Sequence, residues 1–166
     1  MKTWLIADTH FGHANIIRHE KRPFENVEGM DEELIKRWNN KVSKDDKVYM
    51  LGDFTLSRSM RYITHLCSQL NGKKILIAGN HDTRKMSDYV QCGFVQATRD
   101  PLFIDKGTVL MHAPPKLDEV IPGVYYIYGH MHSKNCEVTG HPSCQCVSVE
   151  LTNYEPIEYI HGGTKK

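Results

Sequence analysis

Apolar residues in this chain fall into short runs of strand length, each stopped by a polar turn. Residues 3–7, 47–51, 74–78, 108–111 and 124–128 are rich in Ile, Leu, Val and Tyr and are bounded by Gly, Asn, Asp or Pro. Near-continuous apolar runs of this length predict strands buried on both faces. Between them the spacing turns helical. Residues 30–41 open on Asp31, Glu32 and Glu33, which suit the positive end of a helix dipole, and set Leu34, Ile35 and Trp38 on one face. Residues 59–70 align Ile63, Leu66, Cys67 and Leu70, and Asn71-Gly72 stops them. Residues 86–92 read as a shorter helix closed by Gly93. This alternation predicts a mainly parallel sheet with helices on its faces. Beyond Pro101 the helical spacing fades and short strands with turns continue to Tyr159. A second β layer is therefore expected, and with it an α/β sandwich.

The informative positions lie where the apolar runs stop. The first is followed by Asp8-Thr9-His10, the second by Gly52-Asp53, and the third by Gly79-Asn80-His81-Asp82. The fourth is followed by His112 and the fifth by Gly129-His130-Met131-His132. Asp, Asn and Gly are common turn formers, which accounts for Gly52-Asp53 alone. It does not account for the histidines. In open α/β sheets ligands bind at the carboxyl ends of strands, so five such ends would converge on one pocket. The i, i+2 pairs Asp8/His10 and His130/His132 would aim together if the backbone there is extended.

Composition narrows the chemistry. The chain has 166 residues, a size suited to one domain (1–166), and a formal net charge of +1. No global positive field draws it to nucleic acid or to a membrane surface. The opening apolar run is too short for a signal peptide or a membrane span. Five cysteines, an odd number, suit no closed disulfide framework and predict a reducing, cytoplasmic setting. Ten histidines are many for a structural role, and histidine is the commonest metal ligand.

Asp8, His10, Asp53, Asn80, His112, His130 and His132 are too many ligands for one tetrahedral zinc, and no thiolate is among them. Shared between two divalent cations, with one carboxylate common to both, they leave positions open for water and substrate. With a bridging hydroxide, the two cations and two carboxylates leave a net charge of about +1, which favours a phosphate ester.

The blocks Asp8-x-His10, Gly52-Asp53, Gly79-Asn80-His81-Asp82, His112 and Gly129-His130-x-His132, in this order, resemble the calcineurin-like metallophosphoesterase superfamily, in particular its small uncapped bacterial and phage members. The resemblance spans at least residues 4–132. It implies a four-layer αββα sandwich of two mixed β-sheets flanked by helices, and hydrolysis of phosphate esters through a metal-bridging hydroxide. It also implies Asp8, His10, Asp53 and His132 on one metal, and Asp53, Asn80, His112 and His130 on the other. His81 would face the scissile phosphate, and Asp82 would fix the tautomer of His81. Manganese or iron is the favoured pair, with zinc, nickel or magnesium also compatible.

Residues 13–45 read as an insertion on the rim of this site. There, His13 or Asn15 would touch the phosphate and Arg18 or Arg22 a second anionic group. The alternative is an ordinary solvated, positively charged helix start. Arg58 and Arg84 are further rim candidates. Cys136, Cys144 and Cys146, with His141 nearby, are expected to be free thiols, a third structural zinc being the alternative. Residues 162–166 are expected to be a mobile tail. The substrate expected is a small phosphodiester or nucleotide. A phosphomonoesterase, a nuclease and a non-catalytic scaffold are the rivals, long nucleic acid being disfavoured for want of a basic track. The oligomeric state is left open by the sequence.

Overall fold

Successive residues of the first strands point to opposite faces of one sheet, and that alternation builds two cores. The structure, a computed structural model, describes residues 1–160 and the backbone of 163–164. Strand β1 (Thr3–Ile6) sends Trp4 and Ile6 to one side and Leu5 to the other. Strand β2 (Lys47–Met50) and strand β3 (Lys73–Ile77) do the same, with Val48, Met50 and Leu76 on the first side and Tyr49, Ile75 and Ile77 on the second.

The first side is covered by helices. Helix α1 (Ala14–His19) is short, whereas α2 (Val27–Lys41) brings Met30, Leu34 and Trp38, each one turn from the next, into the core. Helix α3 (Met60–Gln69) buries Ile63, Leu66 and Cys67, and α4 (Met86–Gln91) buries Tyr89. Helix α2 starts three residues earlier than its acidic cluster suggests, because the Asn26 side chain accepts a hydrogen bond from the Gly29 amide at 2.8 Å and caps it. Of the segment 13–45 only α1 reaches the cavity described below; α2 belongs to the core.

The second side packs against another sheet. Strands β4 (Gln96–Thr98), β5 (Leu102–Phe103), β6 (Thr108–Leu110), β7 (Tyr125–Tyr128), β8 (Cys144–Cys146), β9 (Ile157–Ile160) and β10 (Gly163–Thr164) complete two sheets. The larger has the order β10-β9-β1-β2-β3-β4 and the smaller β5-β6-β7-β8. Both are mixed: β1 to β4 run parallel, β9 is antiparallel to β1 and β10 to β9, and β6 to β8 run parallel with β5 antiparallel to β6. Leu110 and Ile127 of the smaller sheet, with Val147 just past β8, meet Leu5 and Ile77 of the larger, with Leu51 just past β2. The fold is the expected α/β sandwich of two mixed sheets with flanking helices. The layer outside the smaller sheet is thin, formed where Tyr126 meets Glu119 and Tyr128 meets Cys136.

The consequence for the site is directional. Strands β1, β2 and β3 are parallel, so their carboxyl ends share one edge, and β6, β7 and β8 end beside it. A bridge between Ala7 and Ser148 ties the two edges together. Among the described residues no helix is long and apolar enough to cross a membrane. The tail expected to be mobile lies outside the described residues, apart from the backbone of β10.

Candidate metal centre

At this shared edge the chain leaves each strand abruptly. Asp8 (φ 59°), His10 (52°), Asp53 (55°), His130 (68°) and His132 (52°) all lie in the left-handed region. Such conformations cost L-residues of order 1–3 kcal/mol each and persist where the surrounding structure enforces them. The i, i+2 pairs therefore do not aim by an extended backbone, as the sequence suggested. The left-handed turns turn the side chains inward instead. Gly129 permits the close approach: a Cβ there would sit 2.6 Å from the Ala7 Cβ and 2.8 Å from Asp8 Oδ2.

Two groups of donor atoms form, each within 4.8 Å: Asp8, His10 and His132, and Asp53, His112 and His130. Asn80 joins the second, its Oδ1 3.0 Å from His112 Nε2 and 3.1 Å from His130 Nδ1. Asp53 Oδ2 stands between the groups, 3.5 Å from His10 Nε2 and 3.6 Å from His112 Nε2. All seven residues are thus brought together.

Their chemistry fits a pair of divalent cations. His10 Nε2 is buried and has no hydrogen-bond partner, an unmet ring nitrogen 3.5 Å from Asp53 Oδ2. Burial also pushes the pKa of His10 down to about 2, so its ring is neutral. Burial likewise lowers the pKa of His112, whose Nδ1 donates to the Leu51 carbonyl at 2.9 Å. Its Nε2 is then an acceptor facing Asn80 Oδ1, another acceptor, with no proton between them. A cation relieves that repulsion. Burial raises the Asp8 carboxyl to about 8, even though Ser148 Oγ donates to it at 2.5 Å and the His130 amide at 2.8 Å. A buried carboxylate this poorly compensated calls for positive charge beside it.

Two residues that the sequence reading missed hold this arrangement. Glu150 Oε1 accepts from His132 Nδ1 at 2.9 Å and from Arg22 Nη2 at 2.7 Å. This leaves His132 Nε2 turned to the site. Burial would lower the pKa of His132, but the hydrogen bond and charge of Glu150 raise it overall. Ser148 holds Asp8. Both follow β8 with the same i, i+2 spacing seen in the other pairs, the one sequence signal that marks a sixth strand end.

The structure corrects the roles expected of Arg22 and Asp82 and, at the cavity described below, of Asn15 and Arg18. Arg22 is 4% exposed and reads no substrate. Besides Glu150 it binds the carbonyls of Asp8 at 2.7 Å and Thr9 at 2.9 Å, pinning the left-handed turn from behind. Asp82 does not set the tautomer of His81. Its carboxylate accepts from the amides of Asp53 (2.7 Å), Gly79 (2.9 Å) and Phe54 (3.1 Å), joining the loops after β2 and β3.

A cavity of about 380 Å³ opens over the donor groups. His81 lines it, with Nε2 4.0 Å from Asp53 Oδ2, and so does His13, whose Nδ1 lies 3.3 Å from His10 Nδ1. His19 and Lys134 form its rim, Lys134 paired with Glu20 at 2.7 Å. Asn15 and Arg18 are exposed and do not line the cavity. Arg84 is engaged by Asp88 and the Arg58 carbonyl, and Arg58 by Thr83. All five cysteines are free, and Cys136, Cys144, Cys146 and His141 form no converging donor group among the described residues.

Comparison with known proteins agrees with this geometry. A family model described as a calcineurin-like phosphoesterase superfamily domain matches residues 1–151. An uncharacterised protein of Methanocaldococcus jannaschii is 37% identical over 161 residues, covering 94% of this chain and 86% of that one. The gene 66 protein of Mycobacterium phage L5 is 38% identical over 82 residues, which cover 48% of this chain and 39% of the phage protein. A crystal structure of an Aquifex aeolicus protein of unknown function matches with a TM-score of 0.75 and 25% identity, over 95% of each chain.

Proposed function

The chain belongs to the calcineurin-like phosphoesterase superfamily, and from that premise we propose that it is a two-metal hydrolase of phosphate esters, with phosphodiesters or nucleotides as favoured substrates. One observation carries this reading: Asp53 Oδ2 is nearly equidistant from His10 Nε2 and His112 Nε2, the place of a carboxylate shared by two cations. Asp8, His10, Asp53 and His132 would hold one, and Asp53, Asn80, His112 and His130 the other. When bound, the cations supply positive charge for the ester oxygens and acidify the attacking water. The mixed N/O donor set without thiolate supports manganese or iron, and zinc, nickel and magnesium suit the same donors.

The protein's own groups do the rest. His81, at the cavity wall, hands a proton to the departing oxygen. Arg22, Glu150 and Ser148 hold Asp8 and His132 in place, and Asp82 holds Asp53 and Gly79. The near-zero net charge supports a small substrate over long nucleic acid, and the unpaired cysteines support a reducing, cytoplasmic setting.

Chelation tests the reading directly. Excess EDTA is expected to stop hydrolysis of a chromogenic phosphodiester, and added Mn²⁺ to restore it. Unchanged turnover in EDTA would overturn the metal mechanism. Glu150→Gln is expected to weaken binding of one cation by roughly 10–100-fold, as loss of a carboxylate behind a ligating histidine does, and to spare the other. Calorimetric titration of metal-free protein with Mn²⁺ separates the two sites.

A further inference from the structure

Residues of the second donor group line two clefts. Asn80 stands in the wall of both: the cavity with His81, and a second cleft of about 330 Å³ that also reaches His112. The second cleft is walled by Pro101, Met111 and Ala113, with Arg99 as its charged side chain. His81 does not line it.

We propose that this second cleft seats the retained substituent of a phosphodiester, and that the substituent is a flat ring of nucleoside type. The proposal rests on the phosphoester-hydrolase reading of the adjoining site. In hydrolysis of a diester, a water oxygen forms a new bond to phosphorus. The bond to the leaving oxygen breaks with its electron pair, and that oxygen takes a proton from His81, while the attacking water gives one up to solvent, from which His81 is reprotonated. The leaving group therefore departs through the cavity that His81 lines. The other substituent stays on phosphorus and needs space elsewhere. A monoester has no such group, and a second cleft against the same Asn80 and His112 would have nothing to hold.

The lining names the kind of group. Met111 and Pro101 offer polarisable, apolar faces to a planar ring, and a guanidinium stacks on such rings or donates to their edges. Arg99 is held at the cleft by its Nη2, which donates to the Asp82 carbonyl at 2.7 Å and the Arg84 carbonyl at 3.3 Å. Met111 is fixed through its amide, which donates to Ile127 at 3.0 Å. Both supports belong to segments that carry donor residues, so cleft and metal centre keep a constant spacing.

The test keeps the leaving group constant and varies what remains. With Mn²⁺, kcat/KM is measured for p-nitrophenyl phosphate, methyl p-nitrophenyl phosphate and thymidine 5′-(p-nitrophenyl phosphate). The thymidine ester is expected to exceed the methyl ester by roughly ten-fold or more, the discrimination one filled pocket supplies. Ala113→Trp, which blocks the cleft, and Arg99→Ala, which removes its charge, should each collapse that ratio. Equal values for the two diesters, preference for the monoester, or a ratio that survives both variants would overturn the proposal while leaving the hydrolase reading intact. Turnover of none of the three would overturn both.

Discussion

Asp53→Asn is expected to abolish hydrolysis and to leave a protein that binds one cation or none. The shared carboxylate supplies charge to both donor groups, its Oδ2 lying 3.5 Å from His10 Nε2 and 3.6 Å from His112 Nε2. Metal ions contribute several kcal/mol of transition-state stabilisation, so losing their common ligand should cost at least about 10³-fold in kcat/KM. The fold should survive. An asparagine Oδ1 can still accept from the His81 amide, as Asp53 does at 2.9 Å. Its NH₂ can also donate to the lone pairs of His10 and His112, so the metal-free variant should melt no lower than the metal-free parent. What it should lose is the rise in Tm on adding Mn²⁺. A variant that keeps both cations by elemental analysis would contradict the shared-ligand assignment.

His81→Ala is expected to do the opposite to metal content. His81 lies in the cavity wall, 4.0 Å from Asp53 Oδ2, and belongs to neither converging donor group. Both cations should remain while kcat falls by about 10²–10⁴-fold, the usual contribution of a positioned proton donor. The fall should be steeper for alkyl leaving groups than for p-nitrophenolate, which departs without protonation. Loss of a cation in this variant would show that His81 is a ligand. An equal fall for every leaving group would point to stabilisation of the phosphoryl oxygens rather than proton transfer.

Much of the site was legible in the chain because it is written locally. A buried strand is a continuous apolar run, and the residue after it must turn. Asp8, Asp53, Asn80, His112 and His130 were therefore visible as chemistry placed where strands stop, and parallel order placed those stops on one edge. The distribution of the donors over two groups does not follow chain order, since His132 joins Asp8 and His10 whereas His130 joins Asp53 and His112. The manner of turning was not legible. Extended backbone would have aimed Asp8 with His10, yet each sits at a positive φ, and neither has a glycine beside it to signal the turn.

By itself, then, the sequence determined which atoms meet, because ligand type and strand periodicity are properties of a few neighbouring residues. Only the tertiary structure decided which charges support them. Arg22 read as an exposed cation on a helix start, and it became a buried clamp because Glu150, 128 residues away, arrives beside it at 2.7 Å. Asp82 read as the partner of its neighbour His81, but three backbone amides from two loops take its carboxylate first. A buried charge goes to whatever donors the fold brings within about 3 Å, and distance along the chain has no bearing on that choice.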